Sequence, residues 1–303
     1  MTDQHGHVLD RTHRTTYRRI GVVLGTVLMV AAVVAVVRNP AIADGLGRAL
    51  RSPNWDALAA LVGSIFLLQL LSAATFHQLM SPYGKVGFLE MNALVAASTL
   101  GNYVPMQAGS LGRVAYHHAV NGIPVRASLL AIVKAMVAMF IAVCLLGAVA
   151  LLNRGWGGPW WVVIFVPALW LPVAWEPSLR VFARIMAYRT AEVLVWTLHA
   201  WAAFKLSGWP IEPQTAVGVA LVGSLANLVP FIGNGLGIRE WAVAVAAPIL
   251  GGYERDAGLA AELVGRAVDV LVAVPLGVLA FSVLVRRARA AAARAPQKPA
   301  ASE

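Results

Sequence analysis

The stretch Leu100-Gly101-Asn102-Tyr103-Val104-Pro105 interrupts one apolar run, and Leu225-Ala226-Asn227-Leu228-Val229-Pro230 interrupts another 125 residues later. Beyond each proline the series continues in parallel. Leu111-Gly112 and Arg113 follow the first, and Leu236-Gly237 and, after a one-residue slip, Arg239 follow the second. The pattern N-x-x-P-x5-L-G-(x)-R therefore occurs twice, within 98–113 and 224–240. Single coincidences are common in a chain rich in Ala, Leu and Val. The joint return of Asn, Pro, Gly and Arg reads as an internal repeat.

Each copy carries helix-breaking chemistry. Pro105 and Pro230 remove a backbone donor and crowd the preceding turn, while Gly109, Gly112, Gly235 and Gly237 permit conformations closed to other residues. Asn102 and Asn227 are placed to satisfy backbone groups that such a break frees. At membrane depth, non-helical backbone is tolerated only inside protein or along a watery cavity. Helices that restart after the breaks would aim partial positive charge inward, with Arg113 and Arg239 beside it, an arrangement suited to an anion such as lipid phosphate. The plainer alternative is two kinks packed on neighbouring helices, each arginine snorkelling to an interface.

The surroundings of the repeat set the class. Of the 303 residues 59% are hydrophobic and only 13% charged, with a mean hydropathy of +0.72. Soluble domains run nearer 45–50% apolar and roughly 25% charged. Seven apolar segments look able to cross a bilayer, at 20–37, 57–80, 127–152, 159–175, 189–206, 214–230 and 257–285. Segments 88–105 and 240–250 are too short or too broken for the roughly 20 residues a crossing needs. The expected fold is an all-α polytopic membrane protein with about 7–8 transmembrane helices plus broken or re-entrant helices and an inverted repeat. It has a polar, basic tail at 1–19, a single membrane domain at 20–285 and a second basic tail at 286–303.

Charge placement gives the orientation. The formal net charge is +10, and Lys and Arg gather in tails and short loops. The N-terminal tail, Lys85, Arg113, Arg126, the 176–190 loop with Arg180, Arg184 and Arg189, and the C-terminal tail outnumber Arg38, Arg48, Arg51, Arg154, Lys205 and Arg255. The positive-inside rule then places both termini in the cytoplasm and the chain in the plasma membrane. Basic tails of this kind rest on anionic headgroups, so nucleic acid is not expected as a partner. Cys144, the single cysteine, allows no disulfide within one chain. Neither an H-E-x-x-H run nor Cys/His zinc spacing occurs, so no metal and no cofactor is expected.

Between the two copies lie the expected crossings 127–152, 159–175 and 189–206, an odd number, so the copies would enter from opposite sides. Paired interruptions in inverted repeats point to a transporter's midplane site. Ionisable groups at that depth cost at least about 2.5–3.5 kcal/mol each and are functional candidates. Glu262, Arg266 and Asp269, spaced by four and three, share one helical face. They form either a self-neutralised cluster or a setting that turns Arg266 toward the cavity of Arg239. Glu240, next to Arg239, needs another basic partner. Lys134 and Glu192 stand open between interface and cavity, and Glu90 is expected to be solvated near a segment end.

At the two motifs the chain resembles the flippase-like, lysylphosphatidylglycerol synthase transmembrane-region family. That family shows N-x-x-P-x-x-x-G-acid-x-x-R and later P-x-x-G-G-L-G-x-R-E. Here the first reads Asn102-Tyr103-Val104-Pro105-Met106-Gln107-Ala108-Gly109-Ser110-Leu111-Gly112-Arg113, and the second runs from Pro230 through Gly233, Asn234, Gly235, Leu236 and Gly237 to Arg239-Glu240. Arg266 matches a later helix arginine. Ser110 replaces the usual acid, and Lys134 stands where a helix arginine is common. The similarity covers roughly 57–285.

It implies a lipid-translocating or lipid-binding domain with paired re-entrant helices. The synthase activity of some relatives needs a cytosolic domain for which this sequence leaves no room. The resulting expectation is a non-enzymatic lipid flippase-like translocator. Arg113, Arg239 and Arg266 would contact an anionic headgroup, phospholipid or lipid-linked glycan, with Asn102 and Asn227 around them and Glu240, Glu262 and Asp269 as supporting charges. Two rivals stand beside it. One is an accessory subunit that holds lipid for a glycosyltransferase or another membrane partner. The other is an intramembrane lipid-modifying enzyme, for which Ala108-Gly109-Ser110-Leu111-Gly112 is a poor nucleophile elbow and His117 and His118 lack a suitably spaced carboxylate.

Overall fold

Small side chains face inward and bulky apolar ones outward. In the computed structural model, helix α4 (Val125–Gly155) buries Ala127, Ala131, Ala135, Ala138 and Ala142 on one face, while Leu129, Val133, Val137 and Phe140 are exposed. A soluble helix bundle shows the reverse. Small residues between helices let backbones approach, and exposed Leu, Val and Phe suit a hydrocarbon solvent. Helix α9 (Arg255–Arg294) follows the same rule, with Leu271, Leu279 and Phe281 outside and Ala257, Ala260, Ala261 and Ala273 inside. Both helices, together with α1 (Trp55–Met80), are long and apolar enough to cross a membrane. The chain is therefore a membrane-associated helical protein.

The structure describes residues 54–103, 108–155, 160–229 and 237–294, with Gly47 and Arg51. The first expected span at 20–37 and the tail at 1–19 lie outside these residues, as do Pro105, Pro230 and Gly235. Among the described residues every regular element is helical. Helix α1 starts at Asn54, whose side-chain oxygen accepts from the Ala57 amide at 3.0 Å. Then come α2 (Phe88–Gly101), α3 (Ala108–Asn121) and α4, a 3-10 segment (Trp160–Leu169) with a single α-turn, α5 (Trp170–Val173), then α6 (Arg180–Leu206), α7 (Pro213–Ala226), α8 (Ile238–Gly251) and α9.

The two interrupted regions build matching hairpins. Helices α2, α3, α7 and α8 each have 14 residues, a length of about 21 Å at 1.5 Å per residue. None reaches across a hydrocarbon layer of about 30 Å. In the first hairpin Gly101 and Gly109 meet back to back. A Cβ at Gly109 would lie 1.9 Å from the Ser98 carbonyl oxygen, and one at Gly101 would lie 2.7 Å from the Gly109 Cα. Both hairpins lean on α9, α2 and α8 directly, and α7 packs on α6, which runs along α1.

Several sequence expectations need correction. Gly109 and Gly112 do not form a break, because both lie inside α3. Gly109 serves the close approach, and Gly112 meets nothing within 4 Å. Segment 159–175 is not a continuous α-helix, since Pro167 and Pro172 each lack an amide donor. Arg180, Arg184 and Arg189 do not sit in a loop. Helix α6 begins at Arg180, in keeping with arginine's good helix propensity. Helix α9 continues past 285 into the basic tail, as far as Arg294. On that extension Arg287 reaches Glu90 at 3.0 Å, and Asn121 Nδ2 donates to Glu90 at 3.1 Å. Glu90 is thus bonded to two helices rather than merely solvated.

Candidate functional site

A cavity of about 320 Å³ opens between α1, α2, α3, α4, α6, α7, α8 and α9, and Asn102, Arg113, Asn227, Arg239 and Arg266 all line it. The two repeat copies therefore meet at one polar chamber, although their arginines are 126 positions apart. Asp269, Arg189, Glu192, Tyr103, Ser110 and Trp196 share its walls.

Local sequence explains how the first copy is held. Asn102 caps the end of α2, and its side-chain oxygen accepts from the Ser110 amide at 3.0 Å and the Ser110 hydroxyl at 3.4 Å. It thereby acts as an N-cap for α3 delivered across the break, satisfying one of the amides that a helix start leaves open. Replacing Asn102 by alanine is expected to lower stability by about 1–2 kcal/mol, as loss of an N-cap does. Thermal unfolding in detergent checks this, and faster hydrogen exchange at the Ser110 amide locates the effect. Asn227 caps α7 in the same position, but its side-chain oxygen is buried without a partner among the described residues. Gly237, with φ +82°, turns the chain into α8.

The arginines of the second copy and of α9 are held by carboxylates. Arg239, 4% exposed, stands over the Trp196 ring at 4.3 Å. Its Nε lies 2.8 Å from Glu262 Oε2, and its Nη2 donates to Oε1 at 3.3 Å. Arg266 donates to Glu240 Oε1 from Nε at 3.1 Å and from Nη2 at 3.0 Å. The α9 carboxylates were expected to hold Arg266 on their own helix. Instead the pairs cross: α8 gives Arg239 to α9, and α9 gives Arg266 to Glu240 of α8. Neighbouring residues on a helix point about 100° apart, so Arg239 and Glu240 cannot pair with each other and each finds its partner across the interface. Buried pairs of this kind offset desolvation only through such multiple contacts.

Arg113 differs. It is 7% exposed, and its guanidinium carbon lies 3.6 Å from the Phe76 ring centroid. No carboxylate pairs with it among the described residues. Arg189 approaches the same ring at 5.8 Å and bonds Glu192 one turn along α6. Sequence reading missed Arg189 because it assigned the residue to a loop. The signal was available in the i, i+3 spacing to Glu192 inside an otherwise apolar run. Lys134 is exposed on α4, and Arg189 is the second cation beside Phe76.

The chain matches no protein-family model, no curated protein and no solved structure.

Beside the arginines, Asp269 lies 3.9 Å from His199 Nε2, and His199 Nδ1 meets Ser64 Oγ at 3.1 Å. The order Ser, His, Asp suggests hydrolysis, yet Ser64 is fully buried and lies off the cavity wall. A nucleophile must reach its substrate. Ser110 is occupied by Asn102, and His117 meets Asn121 at 3.2 Å. Among the described residues no cluster of three or more His, Cys, Asp or Glu side chains could hold a metal ion.

Proposed function

We propose that this protein is a multi-pass lipid translocator of the plasma membrane that leaves its lipid chemically unchanged. The cavity would receive the phosphate of a headgroup, from an anionic phospholipid or a lipid-linked glycan. The observation that carries the reading is the convergence of Arg113, Arg239 and Arg266, with both repeat asparagines, on one chamber. Helices α4 and α6 and the 3-10 segment separate the hairpins. Three crossings there would make the second hairpin an inverted copy of the first, entering from the opposite leaflet. Rocking of one repeat against the other would then open the chamber alternately to each side. The motif resemblance to flippase-like domains fits the same picture, and both termini would face the cytoplasm by the positive-inside rule.

Arg113 is the residue to test, because it is bound by a ring rather than by a carboxylate. Phe76 offsets part of its desolvation through a cation–π contact of about 0.5–2 kcal/mol, which leaves its donors for a ligand. In proteoliposomes carrying fluorescent headgroup-labelled phospholipid, the wild type is expected to move label between leaflets. Arg113→Gln is expected to slow that movement at least about tenfold while lowering the unfolding free energy by no more than about 2 kcal/mol, the size of the lost ring contact, since no buried carboxylate is orphaned. Lipid binding without movement would instead favour the accessory role, and a chemically altered lipid would favour an enzyme.

A further inference from the structure

The charges around the cavity are unevenly distributed, and the unevenness selects a ligand. Around Phe76, Arg113 and Arg189 face a single carboxylate, Glu192. Where α8 packs on α9, three carboxylates, Glu240, Glu262 and Asp269, face two arginines, Arg239 and Arg266. One region therefore holds a spare cation and the other a spare carboxylate. A simple anion would complete the first and worsen the second, because a buried charge without a counter-charge is costly.

Among the described residues, several polar side-chain atoms on the cavity wall lack hydrogen-bond partners. Arg189 Nε, a donor, is buried and unpaired on the side of Phe76. Elsewhere on the cavity wall the Asn227 side-chain oxygen and Ser224 Oγ are buried without partners among the described residues, and Ser224 is only 2% exposed. Both can accept hydrogen bonds. Asp269 also lines the cavity; it interacts electrostatically with Arg266 on its own helix, and its contact with His199 Nε2, at 3.9 Å, is beyond hydrogen-bond reach. A cation with several N–H donors suits these three acceptors; a quaternary amine, which has none, does not.

Keeping the phosphate-binding lipid site proposed above but replacing its net-anionic headgroup, we infer that the cavity recognises a zwitterionic headgroup in which a phosphodiester is joined to a primary ammonium. The phosphate oxygens take the donors of Arg113 and Arg189 over Phe76. The ammonium takes Asp269, Asn227 and Ser224. The ligand adds no net charge to the chamber, yet it completes each region separately. The same phospho-amine chemistry exists in a diacyl lipid and in the free headgroup, and the test separates the two.

The full chain in detergent is titrated with phosphatidylethanolamine, its N-acetylated derivative, phosphatidylcholine and phosphatidylglycerol, with tryptophan fluorescence as the readout because Trp196 lines the cavity. Phosphatidylethanolamine is expected to bind at least about tenfold more tightly than the other three. The comparison with its N-acetylated derivative needs no substitution in the protein. Asp269→Asn is expected to bring the primary-amine and quaternary-amine lipids to equal affinity, whereas Arg113→Gln weakens all phosphate-bearing lipids alike. Soluble phosphoethanolamine that competes as well as the lipid, mole for mole, assigns the site to the free headgroup; weak competition assigns it to the lipid. Phosphatidylglycerol binding as tightly as phosphatidylethanolamine, with both dependent on Arg113, overturns the amine subsite and leaves the phosphate site standing. Lipid binding indifferent to Arg113 overturns both.

Discussion

A single methyl group at position 109 is expected to unfold the first hairpin. In Gly109→Ala the new Cβ would stand 1.9 Å from the Ser98 carbonyl oxygen and 2.7 Å from the Ser98 Cα. The obstacle is backbone, with no flexible side chain to swing away. Gly101 in turn sits against the Gly109 backbone, so α2 and α3 must separate to make room. Overpacked cores lose about 1–3 kcal/mol when side chains can adjust, and a backbone collision is expected to exceed that range. Separation also pulls Ser110 off Asn102 and carries Arg113 away from Phe76, which removes the chamber's first wall. Gly112→Ala is the control. It meets nothing within 4 Å and gains about 0.8–1 kcal/mol of helix propensity. Melting curves in detergent should show Gly109→Ala far below the wild type and Gly112→Ala level with or above it. Equal midpoints for Gly109→Ala and the wild type would mean that the close crossing of α2 and α3 does not hold the hairpin.

The second large effect is expected from Arg239→Ala. Arg239 and Glu262 are both buried and contact each other through two nitrogen–oxygen pairs. Removing the arginine leaves the Glu262 carboxylate in a desolvated site, a loss of about 3–5 kcal/mol. The contact with Trp196 disappears as well. Adding Glu262→Gln to Arg239→Ala removes the orphaned charge and is expected to recover much of that stability. Lipid movement should not return, because the donor group at the cavity wall is still missing. Denaturant unfolding of the single and double variants, run beside the proteoliposome assay, separates the two roles. A double variant no more stable than the single one would mean that the ion pair does not hold α8 to α9.

Part of the architecture was readable from the chain alone, and the reason is locality. An apolar run such as 127–152 and the interruption after Leu100 each depend on residues adjacent in sequence. So does the likeness of the two interruptions, which marked where helices would break and placed an asparagine at each. Charges at membrane depth announce themselves for the same reason, since their cost does not depend on which neighbour relieves it.

Partner choice was beyond the sequence. The spacing of Glu262, Arg266 and Asp269 pointed to pairing along α9, but the pairs that form run across to α8, because helix packing sets which side chains face one another. Arg189 looked like a loop residue until α6 extended over it and Phe76 brought it beside Arg113. Gly109 looked like a break, yet its role is the contact that Ser98 makes with it. Sequence by itself determined a helical chain bound to a membrane and interrupted twice in the same way. Only the tertiary structure decided that both interruptions share one chamber and that its charges are unevenly spread. Burial and hydrogen bonding along a helix are properties of neighbours in the chain, whereas counter-charge and close approach belong to segments that meet only when it folds.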